Sequence, residues 1–121
     1  MSKKVLIDAF YSQFNQFLNE LSEMYPNDAD LPVFIEKLNL AKFANPMMAV
    51  NQVHTEIVIP YGSQIEAKDE AFFLNTEYSG PNVDLNIIDK LKTHFSTMSV
   101  ESKNTVWKYI DVITRITMKL V

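Results

Sequence analysis

The final segment of the chain, residues 99–121, constrains the fold most strongly, because its large apolar residues recur with the period of an α-helix. Steps of one, three and four positions separate Val106, Tyr109, Ile110, Ile113, Ile116 and Leu120. Polar residues recur on the opposite side, at Asn104, Lys108, Asp111, Arg115 and Lys119. This spacing predicts an amphipathic helix with one face in a hydrophobic core.

The apolar side of this helix is wide. Trp107, Met118 and Val121 extend it, so we expect burial over more than half of its circumference. A helix buried to that extent has neighbours on several sides, which predicts that it lies at the centre of the fold. On the solvated side, Asp111 and Arg115 are four residues apart and should form a favourable charge pair, a surface effect of a few tenths of a kcal/mol.

Helical spacing also appears earlier in the chain. Residues 4–24, 31–44 and 83–97 place large apolar side chains at steps of three and four. A shorter helix is expected near residues 69–75, and residues 78–82 have the composition of a loop.

The second of these segments has a predicted start and a predicted buried face. Asp28 or Asp30 is expected to cap the helix. The buried face is expected to include Phe34 and Leu38, and Phe43 should extend it at the end of the helix.

Residues 46–60 allow two interpretations. Met47, Val50, Val53 and Ile57 follow helical steps. Residues 55–59, in contrast, are largely β-branched and precede a turn-like sequence, which is typical of a strand and hairpin. We favour a helix that is broken or kinked near Pro60, with the strand as the alternative.

The composition fits a single domain spanning residues 1–121. The chain is long enough to bury one core, 47% of its residues are hydrophobic, and two glycines are too few for the many tight turns of an all-β fold. It has no cysteine, which excludes disulfides, thiolate metal sites and cysteine nucleophiles. No apolar run reaches the roughly 18 residues of a membrane span or forms a secretory signal. We therefore expect a cytoplasmic protein.

No pattern in the sequence indicates a catalytic centre, a cofactor or a resident metal. The glycines, Gly62 and Gly80, are too few for a phosphate-binding loop. The histidines, His54 and His94, lie on different segments, and the nearby carboxylates of Glu56 and Asp89 are two and five positions away. Such spacings do not bring side chains together on a helix, so we expect ordinary structural roles for both histidines.

Two functional classes stand as alternatives to a binding protein. The first is a small enzyme that uses carboxylates, alone or with a divalent metal held by Glu66, Asp69 and Glu70. The second is a nucleic-acid-associated factor that uses the lysines of the last two helices: Lys90, Lys92, Lys103 and Lys108. A net charge of −4 and a single arginine disfavour the second class, because phosphate binding needs a cationic surface.

Residues 103–110, with the sequence KNTVWKYI, resemble a pattern of small proteins from nucleocytoplasmic large DNA viruses, especially those of algae and protists. The N-terminal half is similar in outline, with YPND at residues 25–28 after a Phe-rich helix and DEAFF at residues 69–73. The resemblance carries no functional residues with it. It implies a viral origin and expression in infected cytoplasm or in the virion.

These observations predict an all-α fold, a compact bundle of about five helices with the C-terminal helix at its centre. We expect a non-enzymatic interaction or structural protein that buries a helical face against another protein or against a second copy of itself. Aromatic side chains commonly dominate such interfaces. The candidate anchors are Trp107, Tyr109, Phe72 and Phe73.

Overall fold

The chain folds into α-helices, as its apolar spacing predicts. The computed structural model describes residues 2–69 and 92–121, apart from the side chain of Glu56. The helices are α1 (Lys3–Met24), α2 (Asp30–Ala44), α3 (Pro46–Val53), α4 (Ile59–Glu66) and α5 (Val100–Leu120), with a π-helical turn (His54–Val58) between α3 and α4. Residues 92–95 are also helical, and the described ranges contain no strand. The expectations for residues 69–75, for the loop 78–82 and for the first part of 83–97 lie outside the described residues.

The two longest helices, α1 and α5, pack antiparallel. Tyr25, at the end of α1, stacks on His94, which precedes α5 by a few residues. Farther along α5, Tyr109 stacks on Phe17, eight residues back in α1. The helix α5 also contacts α3, the π-helical turn and α4, which gives it the central position expected from its wide apolar face.

The core is formed by the side chains that line these contacts. Its buried members are Phe10, Tyr11, Phe17, Leu18, Leu21, Leu31, Val50, Phe95, Val106, Trp107 and Ile113. Met118 and Val121, which were expected to join it, are 54% and 56% exposed. Met118 lies about 100° around the helix from buried Thr117, and Val121 follows the last helical residue, so both miss the buried side.

Serine hydroxyls cap the starts of α1 and α5. Ser2 Oγ accepts a hydrogen bond from the Val5 N–H, and Ser99 Oγ accepts one from the Ser102 N–H, both across 3.2 Å. The expected pair on the solvated side of α5 is present, with Arg115 Nε 3.0 Å from Asp111 Oδ2. Within the described ranges, no helix combines the length and the apolar character needed to cross a membrane.

The helix α2 corrects two expectations. Its N-cap residue is Ala29, which makes no side-chain capping bond; Asp28 Oδ1 instead accepts from the backbone N–H of Asp30 across 3.1 Å. Phe43 does not extend the buried face, because it lies about 140° around the helix from the half-buried Leu38. Its side chain is 86% exposed.

Residues 46–66 are helical throughout, which excludes the strand interpretation. The predicted break near Pro60 takes the form of the π-helical turn just before it. Proline lacks an N–H and its ring collides with the carbonyl four residues earlier in a regular α-helix. Widening the turn, so that the Ile59 N–H bonds to the carbonyl of His54 five residues back, accommodates the ring without ending the helix.

Candidate functional site

The most unusual surface of the described molecule lies on the side of α2 that faces away from the other helices. α2 packs against α1 and α3 through buried Leu31 and the half-buried Phe34 and Leu38. On the opposite side, Leu40 is 61% exposed and Phe43 is 86% exposed. Large apolar side chains in water at this density differ from the scattered exposed residues of an ordinary surface.

We define the outer face of α2 as the six exposed residues that lie within about 60° of Leu40 around the helix axis. They are Val33, Glu36, Lys37, Leu40, Phe43 and Ala44. Val33, Leu40 and Ala44 form an apolar stripe along the middle of this face, with Glu36 and Phe43 on one flank and Lys37 on the other.

This face breaks the rule that the other long helices follow. In α1 and α5 the apolar and polar residues occupy opposite sides, whereas in α2 apolar residues lie on two opposite sides of the helix, with polar residues distributed between them: Asp30, Glu36, Lys37, Asn39 and Lys42. A surface helix normally has its apolar residues only on the side that faces the core. The covering that α1 and α3 give to α2 accounts for one side and leaves the other in contact with water.

The charged residues near the outer face are arranged around it rather than across it. Lys42 Nζ lies 3.6 Å from Asp8 Oδ1 on α1, so its charge is directed toward the buried side. Lys37 Nζ lies 5.9 Å from the centre of the Phe34 ring, a distance compatible with a cation–π contact. Past the end of α2, Met48 on α3 is half exposed.

A second feature joins the α1–α2 turn to the segment before α5. His94 Nε2–H donates to Asp28 Oδ2 across 2.7 Å, and the His94 ring stacks on Tyr25 with 3.8 Å between centroids. The Tyr25 hydroxyl donates to the backbone carbonyl of His94 across 3.2 Å. The Asp28 side chain is 7% exposed, so this pair is nearly shielded from water.

An open groove of about 820 Å³ borders this cluster. Its lining includes Tyr25, Asp28, Phe34, Thr93 and His94. Nε2 of His94 is bonded to Asp28 and one face of the ring is covered by Tyr25, so these contacts hold the α1–α2 turn against the segment before α5.

The predicted partner-binding aromatics lie in different environments. Trp107 is 6% exposed and makes an edge contact with Phe95 at 5.7 Å. Tyr109 is half-buried, stacks on Phe17 at 5.4 Å and donates its hydroxyl to Glu20 Oε1 across 2.9 Å. Both side chains therefore pack within the chain itself. Phe72 and Phe73 lie outside the described residues, and the partner-binding role of all four stays a prediction.

The side chains of Tyr109 and Tyr11 both have a pKa raised above the ordinary value. Burial raises the pKa of Tyr109, and the hydrogen bond to the Glu20 carboxylate and its negative charge raise it further. Burial also raises the pKa of Tyr11, whose hydroxyl donates to the carbonyl of Pro46 across 2.8 Å. These contacts connect α1 to α5 and to the start of α3.

The alternative sites are only partly within the described residues. Glu66 and Asp69 are exposed, Glu70 lies outside, and the described part of the chain holds no group of three potential metal ligands. Of the lysines, Lys103 Nζ lies 5.4 Å from the centre of the Phe95 ring. Lys108 is exposed, Lys92 is half-buried, and Lys90 lies outside the described ranges. The nearby carboxylates considered for His54 and His94, Glu56 and Asp89, are likewise not among the described side chains.

Comparison with known proteins adds no family assignment. No protein-family model, no curated protein and no solved structure matches this chain.

Two features of the site escaped prediction from sequence. The Asp28–His94 contact joins residues 66 positions apart, and no local spacing reveals such a pair. The outer face of α2 does have a signal in the sequence, because Val33, Leu40 and Phe43 lie on the side of the helix opposite Leu31 and Leu38.

Proposed function

We propose that this protein is a non-enzymatic binding protein that docks another protein chain on the outer face of α2. One observation carries the proposal: Phe43 and Leu40 are largely exposed on a helix whose opposite side is already packed in the core. Burying these two side chains and Val33 in an interface would remove apolar surface from water, which is the main favourable term in protein association.

The composition of this face is typical of a docking surface. Large aromatic and aliphatic side chains are the usual anchors of an interface, and charged residues are usually confined to its rim. Leu40 is the anchor at the centre of the outer face, and Phe43 is a second anchor on the same flank as Glu36. Glu36 and Lys37 correspond to the rim.

The setting of this interaction is also a proposal. From the resemblance to small proteins of nucleocytoplasmic large DNA viruses, we propose that the partner is present in infected cytoplasm or in the virion. It implies no partner of known identity.

Site-specific photo-crosslinking tests the proposed function. A photoreactive phenylalanine analogue replaces Phe43 in one variant and the exposed Asn104 of α5 in a matched control, and each is irradiated in extract of the cells that produce the chain. We expect an adduct of defined mass from position 43 alone, and the additional change Leu40→Glu in the same photoreactive chain should abolish it. Equal adducts at both positions, or none at position 43, would contradict the proposal.

A further inference from the structure

We infer that the open groove beside His94 is a binding site for a protonated amine with an apolar body. The site is separate from the outer face of α2, and the inference does not depend on the proposed function. Three properties of the groove carry it: the contacts of the His94 side chain, the charge of the lining residues and the apolar side chains among them. Each selects one part of the ligand.

The contacts of the His94 ring leave one of its nitrogens without a partner. A carboxylate oxygen only accepts, so the hydrogen bond to Asp28 Oδ2 fixes the proton of the neutral imidazole on Nε2. Nδ1 is then a lone-pair acceptor, and no described residue makes a hydrogen bond to it. The His94 side chain is only 19% exposed. Polar atoms with so little access to water are normally paired, so Nδ1 requires a donor.

Part of the His94 ring is open to the groove. The groove of about 820 Å³ is lined by His94, Thr93 and the α1–α2 turn. Asp28 occupies the Nε2 edge of the ring, and Tyr25 covers one of its faces. The Nδ1 edge and the second face are the parts that remain for the groove. We therefore place the donor of the ligand against Nδ1.

The charge of the groove selects a cationic donor. Its described lining includes two carboxylates, those of Asp28 and Asp30, and neither a lysine nor an arginine. A bound anion would be repelled by these groups. An ammonium group has three N–H donors, so it can donate to Nδ1 and to a carboxylate at the same time. A neutral alcohol has one donor and no charge to attract.

The apolar side chains of the groove select the body of the ligand. Phe34 on α2 and Met24, which is 37% exposed at the end of α1, both line the groove. A hydrocarbon body attached to the ammonium group would cover these side chains and remove apolar surface from water. The volume of the groove lies within the range of about 300–1,000 Å³ that is usual for small-molecule sites. An amine with an aromatic ring therefore fits it.

Nuclear magnetic resonance titration of the full chain tests the class of ligand. The probe is benzylammonium, and the matched controls are neutral benzyl alcohol and anionic benzoate, which carry the same ring. At about pH 8, where an ordinary histidine is neutral, benzylammonium should shift the Nδ1 signal of His94 and the amide signals of the α1–α2 turn until they saturate. Both controls should bind at least about tenfold more weakly. Equal binding of the three probes, or no saturable shift with benzylammonium, overturns the site.

Two pairs of variants locate the ammonium group. Thr93→Lys adds a cation at an exposed lining residue and should weaken benzylammonium binding about tenfold. Thr55→Lys, the same change at an exposed residue outside the lining, should leave it unchanged. Asp30→Asn should weaken binding about threefold, and the exposed Asp8→Asn should not. Circular dichroism verifies that each variant is folded. Equal effects within both pairs overturn the inference.

A further probe distinguishes two sources of the amine. Nα-acetyl-lysine methylamide presents its ammonium group as a lysine side chain of a protein does. Binding as tight as that of benzylammonium assigns the groove to a lysine of another protein. Binding of benzylammonium alone assigns it to a free small-molecule amine. Binding of neither overturns the inference.

Discussion

The imidazole of His94 lies 2.7 Å from the carboxylate of Asp28, in a contact that joins the α1–α2 turn to the segment that enters α5. The second oxygen of the same carboxylate accepts from the backbone N–H of Asp30 at the start of α2. Asp28 thus links three parts of the chain, and its side chain is nearly buried. Removing a buried acceptor leaves its donors without a partner, which costs more than the hydrogen bonds themselves contribute.

We therefore expect Asp28→Ala to lower the free energy of unfolding by about 2 kcal/mol at neutral pH. Asp28→Asn should be less damaging, because one amide oxygen can still accept. Asp8→Ala is the control: Asp8 is an exposed carboxylate that faces Lys42 at 3.6 Å, and its loss should change the free energy by less than about 1 kcal/mol. Urea unfolding of the three variants measures these differences. Equal effects of Asp28→Ala and Asp8→Ala would show that the His94 contact contributes nothing beyond a surface pair.

Alkaline pH should destabilise the fold through Tyr109. Its pKa is raised above the ordinary value of 10.0 by burial and by Glu20, so the folded protein holds the phenolic proton more tightly than the unfolded chain does. The resulting stabilisation is complete below pH 10 and declines as the pH rises through the folded-state pKa. Tyr109→Phe should flatten this decline while losing about 1 kcal/mol at neutral pH with the hydrogen bond to Glu20.

The measurement is the urea midpoint as a function of pH, with phenolate formation followed by absorbance. Tyr11→Phe should flatten the decline in the same way, since burial raises that pKa too. A Tyr109→Phe profile that falls as steeply as that of the unmodified chain would refute the assignment.

Truncation to alanine should lower the free energy of unfolding far more at Phe10 than at Phe43. Phe10 is fully buried and makes edge contacts with Tyr11 and Phe14 at 5.2 and 5.8 Å, so Phe10→Ala should cost about 3–5 kcal/mol. Phe43 is mostly in water, and Phe43→Ala should change the free energy of unfolding by less than about 0.5 kcal/mol at concentrations where the chain is monomeric. Urea unfolding in dilute solution gives both values. A large cost at Phe43 would mean that this side chain belongs to the core.

The serine cap at the start of α5 should contribute to stability through its local hydrogen bond. Ser99 Oγ accepts from the Ser102 N–H, so Ser99→Ala should cost about 1 kcal/mol. Ser99→Asp keeps an acceptor at the same place and favours the positive end of the helix dipole, so it should restore the loss. Thermal unfolding of the pair provides the readout. Failure of aspartate to restore stability would argue that the serine acts through packing.

Local periodicity predicted much of the fold. The bounds of α1, α2 and α5 agree with the sequence predictions to within a residue, since the stripes at residues 4–24, 31–44 and 99–121 are long and regular. The choice between helix and strand at residues 55–59 was harder. Their β-branched side chains favour a strand in isolation, and the helical packing of this segment against α5 overrode that preference.

The candidate site was less accessible to sequence reasoning. Large apolar side chains are assigned to the core by default, so Phe43 was placed there and Met118 and Val121 were added to the buried side of α5. Which side of an apolar helix is covered depends on where its neighbours lie, and that is a property of the packed chain.

The sequence by itself determined that the described part of the chain is helical, where α1, α2 and α5 begin and end, and which side of α5 faces water. Each of these follows from residues within a few turns of one another. The tertiary structure alone decided that His94 would meet Asp28 and that α2 would lie at the outside of the fold, covered by α1 and α3 on one side. Contacts between distant segments depend on how whole helices pack. In α2, where apolar residues lie on opposite sides of the helix, local spacing does not determine which of those sides faces water.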